Sequence, residues 1–517
     1  MNTGEGNRLT KALAQHHRSR ECREQTRDQV EVPEAVSKAM GWDGGSRSDC
    51  IVPLRMGNPA LGTQRREGDR RIAESLEGKM TKALNLGSMS TRRRRIGQKA
   101  KEAPEQVLTS LAHNIDIFWM WEALKRTRKG GAPGVDGTTW KAYSENWQEN
   151  LNDLIGRFKS GTYRAPNLRR SYIPKGDGKK RPIAITTLED KVLQRAVAMA
   201  LEEVYEVDFH DFSYGFRPKR SAHQAIKALS DQVRETNGGW VLEVDVQSFF
   251  DKISHRHLRE ILDLRVKDGV IRRQIDKWLK AGILEDGKVS YQTEGTPQGG
   301  VISPLLANIF LHETLDKWFM EVAKPRLKGW ARLTRYADDF ICVFQKEEDA
   351  KRVLADIGQR FEAYGLSVHP EKTRLTDFRH PAGRRNAQDK KPGTFDFLGF
   401  TFFWGKTQNG GWWIRRKTAS KKFRQSLDNF KYWCKKNRHR HLKEQCEKLN
   451  QKLLGYCAYY GIKGNSQSLD NFFYRVRLEW KKWLGRRCQR RDLNWEKFRK
   501  ILKRAQLVRP RIVHWEI

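Results

Sequence analysis

Apolar and polar residues alternate cleanly between Trp240 and Val246. Trp240, Leu242, Val244 and Val246 fall on one side, and Val241, Glu243 and Asp245 on the other. A period of two predicts a half-buried strand with its carboxylates on the face away from the core. The same alternation flanks Tyr336-Ala337-Asp338-Asp339 on both sides, which predicts two strands joined by a tight acidic turn. Helical spacing links Val107, Leu108, Leu111, Ile115, Phe118 and Trp121, and predicts a helix ending near Gly130-Gly131. Thr187, with Asp190 three residues on, opens another helix through about Tyr205 in the manner of a capping box. Ser303 reads as an N-cap followed by Pro304 at the first helical position, with Leu305, Leu306, Ile309, Phe310 and Leu315 as the buried face. Tyr172 to Ile183 reads as a hairpin with a Gly-Asp-Gly tip and a basic lining, and residues 295–300 as a turn. An amphipathic helix near 347–364, an apolar hairpin from Phe395 to Trp404 and a helical region beyond Lys417 complete an α+β pattern.

Composition adds partners to that pattern. The 517 residues carry a formal charge of +38, which points to polyanions: nucleic acid or an anionic surface. Residues 417–517 hold 28 Lys plus Arg against 8 Asp plus Glu, so over half of the excess lies in the last fifth. The 17 Trp and 23 Phe supply core material and, interleaved with the bases, stacking surfaces. Residues 1 to about 100 lack an apolar period, include the run Arg92 to Arg95, and are expected to form a poorly ordered extension. No apolar run is long enough to span a bilayer and the start is polar, so no membrane partner and no secretory signal are expected. Seven scattered cysteines, without zinc-like spacing, fit a reduced intracellular, cytoplasmic protein, with Cys342 as core filler.

The candidate chemistry is acidic. Asp245 precedes the Asp338-Asp339 pair by 93 residues, and all three lie at strand ends. Neighbouring side chains of an extended chain point to opposite faces, so one of the pair can bind a metal while the other does something else. If the strands are neighbours, the three carboxylates converge into an oxygen site suited to Mg²⁺ and to in-line phosphoryl displacement. The bland alternative, surface acids in turns, is weakened by the apolar strand around Asp245. His255 and His257 stand at i and i+2, which do not share a helical face, and are read as ordinary polar residues.

With these blocks in order, the sequence resembles a reverse transcriptase of the group II intron family. The match runs through Gly131-Ala132-Pro133-Gly134-Val135-Asp136-Gly137, Ile173-Pro174-Lys175 to Lys180-Arg181-Pro182-Ile183, and Asp245 to Phe249-Phe250-Asp251. It continues through Thr296-Pro297-Gln298-Gly299-Gly300-Val301-Ile302-Ser303-Pro304, Tyr336 to Asp339, Gly365-Leu366, Glu371-Lys372-Thr373 and Phe397-Leu398-Gly399-Phe400. More loosely, Gly455 to Tyr460 and Trp480 to Trp483 are similar to that family's thumb and maturase region. The resemblance implies a right-hand polymerase, with fingers and palm over 101–395 and a primer-grip hairpin, helical thumb and maturase region over 396–517; the N-terminal extension over 1–100 departs from that family's usual short start. It implies Asp245, Asp338 and Asp339 as catalytic Mg²⁺ ligands with the Val246 carbonyl, and Lys175 and Arg181 on the triphosphate of the incoming dNTP. It also implies Phe250 as the wall against a 2′-hydroxyl, Gln298 and Gly299 in the nucleotide pocket, Lys372 as the acid for pyrophosphate, and Phe397, Leu398 and Gly399 as the primer grip. The implied partners are an RNA template with a DNA or RNA primer, dNTPs, group II intron RNA, and target DNA as a further candidate. Without paired cysteines or a His-Asn-His set near Ile517, the chain resembles the endonuclease-lacking branch. A domesticated repair or phage-defence enzyme without an intron, and a splicing-only RNA-binding protein, are the alternatives.

Overall fold

The computed structural model describes residues 86–174, 180–381, 392–487 and 493–516. The expected extension over 1–100 therefore falls mostly outside the described residues. Its last part is a helix, Leu86–Glu102, that seats Ile96 and Ala100 against the long helix Leu188–Asp208. Two of the four consecutive arginines are engaged there, Arg92 with Asp116 at 2.6 Å and Arg93 with Glu203. Arg94 and Arg95 are exposed.

Eleven strands are described: β1 Leu168–Pro174, β2 Lys180–Ile185, β3 Trp240–Val244, β4 Ile283–Glu285, β5 Lys288–Ser290, β6 Ala331–Tyr336, β7 Asp339–Phe344, β8 Arg374–Asp377, β9 Phe395–Phe397, β10 Phe400–Lys406 and β11 Trp412–Thr418. They form three sheets, ordered β2-β1-β4-β5, β6-β7-β3-β8 and β11-β10-β9. All pairs are antiparallel except β1 with β4.

The β6-β7-β3-β8 sheet is packed on both faces, which corrects the expectation of a half-buried strand at 240–246. Leu242, Val244, Phe340 and Phe344 join one core with helices Leu188–Asp208, Ser303–Leu311 and Glu347–Ala363. Val241, Ile341 and Val343 join a second core built from helix Ala222–Glu235, the β9–β11 sheet and the C-terminal helices. Glu243, on that second side, is half-buried against Arg374 at 2.9 Å. Burial pushes its carboxyl up to about 7, against the pull of that guanidinium.

Two helix boundaries also move. The helix expected from Val107 begins only at Ile117, because Leu108 pairs with Val266 and the Asp116 side chain caps Trp119 N–H at 3.0 Å. Phe118, expected on the buried face, is exposed. The helix expected to start after Ser303 has Ser303 as its first residue and Ile302 as its N-cap. Ser303 Oγ instead donates to the Pro297 carbonyl at 2.9 Å and fastens the preceding turn. Beyond Trp412 the chain forms helices Ser420–Lys436, Leu442–Tyr460, Ser466–Gly485 and Trp495–Ala505. None of the described helices is long and apolar enough to cross a membrane. Cys342, Cys434, Cys446 and Cys457 are buried free thiols.

Candidate functional site

Register brings the three predicted carboxylates to one end of the central sheet. Val244 of β3 pairs with Phe340 of β7, so Asp245, the next residue, lies beside Asp339. Tyr336 pairs with Asp339, which leaves Ala337 and Asp338 as the two-residue turn between β6 and β7. Ala337 sits at φ 56°, in the left-handed region that glycine ordinarily fills in hairpin turns. The backbone after β3 is held from its other side. Asp245 N–H donates to Thr373 Oγ1 at 3.3 Å, and its carbonyl accepts from His369 N–H at 2.8 Å. Val246, buried, bridges to Val368, and Gln247 N–H donates to the Ser367 carbonyl at 2.8 Å.

Burial and like charge at close quarters act together on the carboxylates. Burial first, and then the charges of Asp338 and Asp245, push the Asp339 carboxyl up to about 7. Its side chain is nonetheless exposed on the solvent side. Asp338 is raised as well, by burial and by Asp245, while Arg181 and Arg335 pull it down. Lys422, on helix Ser420–Lys436, and Arg181, on β2, both lower Asp339. Lys372 brings its ammonium to 3.3 and 3.4 Å from the two oxygens of Asp245. Crowded anions whose pKa values rise together stabilise any cation placed among them, and hard carboxylate oxygens fit Mg²⁺. Among the described residues no group of three or more His, Cys, Asp or Glu side chains is placed so that it could hold a metal ion.

Facing this end of the sheet is a wall built from two loops. Ser248, at φ 50°, turns the chain into the short helix Phe249–Lys252; Phe249 is buried and Phe250 stands half-exposed, edge-on to it at 5.4 Å. Gln298 links the sides of the wall. Arg181 Nε donates to its Oε1 at 3.0 Å, and its Nε2 donates to Asp251 Oδ1 at 3.0 Å. Gly299, at φ +118°, passes so close to β2 that an added Cβ would lie 2.5 Å from the Ala184 carbonyl oxygen. Ala184 N–H donates to the Gln298 carbonyl at 2.7 Å and fixes the loop in place. Lys175 lies outside the described residues.

Supports that the sequence reading missed lie behind both elements. Asp190 was expected to complete a capping box. Thr187 Oγ1 does accept its N–H at 3.3 Å, but the carboxylate turns into the core and accepts from Tyr163 Oη at 3.1 Å, Trp278 Nε1 at 2.6 Å and Gln194 Nε2 at 2.9 Å. Gln194 Oε1 in turn accepts Val301 N–H at 2.7 Å and Ile302 N–H at 3.3 Å, just after the Gln298 loop. Burial pushes Asp190 up to about 6 despite its three donors. Behind the acidic turn, Arg335 and Asp316 are wholly buried and paired. Burial alone would raise Asp316, but the Arg335 guanidinium and His312 hold it below the usual carboxylate range. The available signal was polarity out of place: Asp190, Asn308 and Asp316 interrupt otherwise apolar helical faces.

The remaining candidates lie further out. Phe397 is buried, while Leu398 and Gly399 form a left-handed turn at φ 47° and 81°. Tyr459 Oη donates to the Leu398 carbonyl at 2.8 Å, and Ala419 N–H to that of Gly399 at 2.9 Å, so the turn is pinned to the C-terminal helices. His255 is polar structure, as expected: its Nε2 meets the Gly295 carbonyl at 2.7 Å. Around the C-terminal helices, Tyr432, Tyr474 and Trp515 are exposed, and Lys481 lies 4.7 Å from the Trp495 ring centroid.

Residues 173–402, which contain the three carboxylates, Arg181, Phe250 and the Gln298 loop, match the family model described as reverse transcriptase (RNA-dependent DNA polymerase). Protein YkfC of Escherichia coli is 38% identical over 256 residues, covering 44% of this chain and 67% of YkfC. Group II intron-encoded protein LtrA of Lactococcus lactis subsp. cremoris is 39% identical over 234 residues, covering 44% of this chain and 38% of LtrA. An uncharacterized 91 kDa protein in the cob intron of Schizosaccharomyces pombe is 30% identical over 279 residues, covering 44% of this chain and 34% of its own length. The chain thus spans well under half the length of these two intron proteins. The carboxylates and the Gln298 wall fall inside the matched segment, and the chain belongs to the reverse transcriptase (RNA-dependent DNA polymerase) family.

Proposed function

We propose that this chain extends a primer on an RNA template with dNTPs, using paired Mg²⁺ held by Asp245, Asp338, Asp339 and the Val246 carbonyl. The observation that carries the reading is the register that sets Asp245 beside Asp339, with Asp338 in the adjoining turn and Arg181 within electrostatic reach. Bound there, the ions would supply Lewis-acid activation of the primer 3′-hydroxyl and charge stabilisation for the leaving pyrophosphate. The chain's own residues do the positioning. Arg181 presents a fixed guanidinium to the triphosphate, steered by Gln298, and the uncovered side of Phe250 meets the sugar where a 2′-hydroxyl would project. Lys175 is assigned beside Arg181 on motif alone.

Lys372 has two places to be. Without an ion its ammonium neutralises Asp245; with Asp245 engaged it is released and can deliver a proton to the departing pyrophosphate. The regions follow the same reading: fingers and palm over 101–395, then primer grip, thumb and maturase region over 396–517. The basic C-terminal helices, with aromatic rings among the cations, suit group II intron RNA and an assisting role in its splicing. The test is primer extension on an RNA template by the purified chain beside Asp338→Ala/Asp339→Ala. Loss of synthesis with intact RNA binding is expected, and synthesis retained by the double variant overturns the metal assignment.

A further inference from the structure

The turn that carries Asp338 is strained at Ala337, whose left-handed backbone is unfavourable in a residue with a Cβ. Something must hold it, and the observed support comes from behind. Arg335 is fully buried and its guanidinium engages three partners. Nε donates to Asp316 Oδ1 at 2.8 Å, Nη2 donates to Asp316 Oδ2, and Nη1 donates to Asn308 Oδ1 at 3.0 Å and to the Ala337 carbonyl at 3.2 Å. Asn308 Nδ2 donates to the Gly215 carbonyl at 2.6 Å, and Gly215 itself lies against Ala337 N so closely that no Cβ would fit between them. The Arg335 backbone is tied to the same segment: its N–H donates to the Phe212 carbonyl at 2.9 Å, and its carbonyl accepts Tyr214 N–H at 2.9 Å.

We infer that Arg335, held by Asp316 and Asn308, is a positioning residue that sets the Ala337 peptide and thereby the placement of Asp338 toward the reacting groups. A buried ion pair contributes little net stability relative to apolar residues of equal volume, so its effect falls on geometry. A planar fork can satisfy a carboxylate, an amide and a peptide carbonyl at fixed angles; an ammonium cannot. The inference rests on the polymerase reading for its link to catalysis, but the placement of the carboxylate can be read separately.

The experiment compares the full chain with Arg335→Lys and with Arg335→Met/Asp316→Leu. It measures melting temperature, kcat and KM in primer extension, and Mn²⁺ half-saturation by electron paramagnetic resonance without primer or nucleotide. Expected are a kcat lower by about tenfold to a hundredfold, an unchanged KM for primer–template and a severalfold higher Mn²⁺ half-saturation in folded protein. Either folded variant with wild-type kcat and Mn²⁺ half-saturation overturns the inference, as does a fall in rate that only matches the fraction unfolded. Should neither fold, Asn308→Ser, which leaves the ion pair whole, decides in the same way. A wild-type chain that extends no primer, yet binds Mn²⁺ more tightly than Arg335→Lys does, would sink the polymerase reading and leave the positioning role standing.

Discussion

Replacing Asp190 tests whether the nucleotide-side loop rests on a buried charge. The carboxylate accepts from Tyr163, Trp278 and Gln194 and is 1% exposed, so Asp190→Ala strands three donors where water does not reach. At about 1–3 kcal/mol for each unsatisfied buried group, the loss is at least about 3 kcal/mol, a large part of an ordinary domain's stability. Asp190→Asn keeps one acceptor and separates shape from charge. Burial raises the folded-state pKa from 3.8 to about 6. The folded chain thus holds this proton where the unfolded chain has released it, and stability from the group is lost as pH rises from the unfolded toward the folded value. Integrated between about pH 4.5 and about pH 7.5, the wild-type advantage over Asp190→Asn shrinks by about 2 kcal/mol. Urea unfolding at the two pH values, followed by Trp fluorescence, measures that difference. An advantage that stays constant or grows with pH refutes a raised carboxyl, and an Asp190→Ala cost below about 1 kcal/mol refutes the donor count.

Gly299→Ala forces a Cβ toward the Ala184 carbonyl at a backbone angle that only glycine adopts freely. Steady-state kinetics should show the dNTP KM rising about tenfold with primer–template affinity unchanged, the reach of roughly 1.4 kcal/mol. Arg181→Ala should raise the same KM, and Arg181→Lys should recover only part of it, because one ammonium does not reproduce both the Gln298 hydrogen bond and a phosphate contact; full recovery counts against a bidentate role. Binding of structured RNA should weaken steeply with salt. Replacing the exposed Lys431, Lys435 and Lys436 by Ala should lower the log–log slope by up to about 3, close to 1 for each phosphate no longer neutralised. An unchanged slope would move the RNA path off helix Ser420–Lys436.

Local periodicity made the acidic turn, its flanking strands and helix Glu347–Ala363 legible, because neighbours along the chain decide those elements. What sequence alone did not disclose depends on distant partners. Val241 looked like the outward side of β3 because the core that covers it is supplied by β9–β11 and by helices after residue 420. Leu108 fitted a helical period, but Val266 captured it into a bridge. Ser303 had the chemistry of an N-cap and used its hydroxyl on Pro297 instead. At the site, the three carboxylates could be picked out as strand-end acids, whereas Asp190, Asn308 and Asp316 became intelligible only once Tyr163, Trp278 and Arg335 were seen around them.

The two-faced packing of the β6-β7-β3-β8 sheet bears on how this molecule can be divided. A fragment ending near residue 395 would keep helix Ala222–Glu235 but strip the β9–β11 sheet and the C-terminal helices from the core around Val241, Ile341 and Val343, on the very strands that carry the acids. The proposed border near residue 395 is drawn in the sequence, but one buried cluster runs across it. β3, which leads into Asp245, and β7, which begins at Asp339, thus share one buried cluster with the helices after residue 420, and a core substitution in those helices is expected to be felt at the strands.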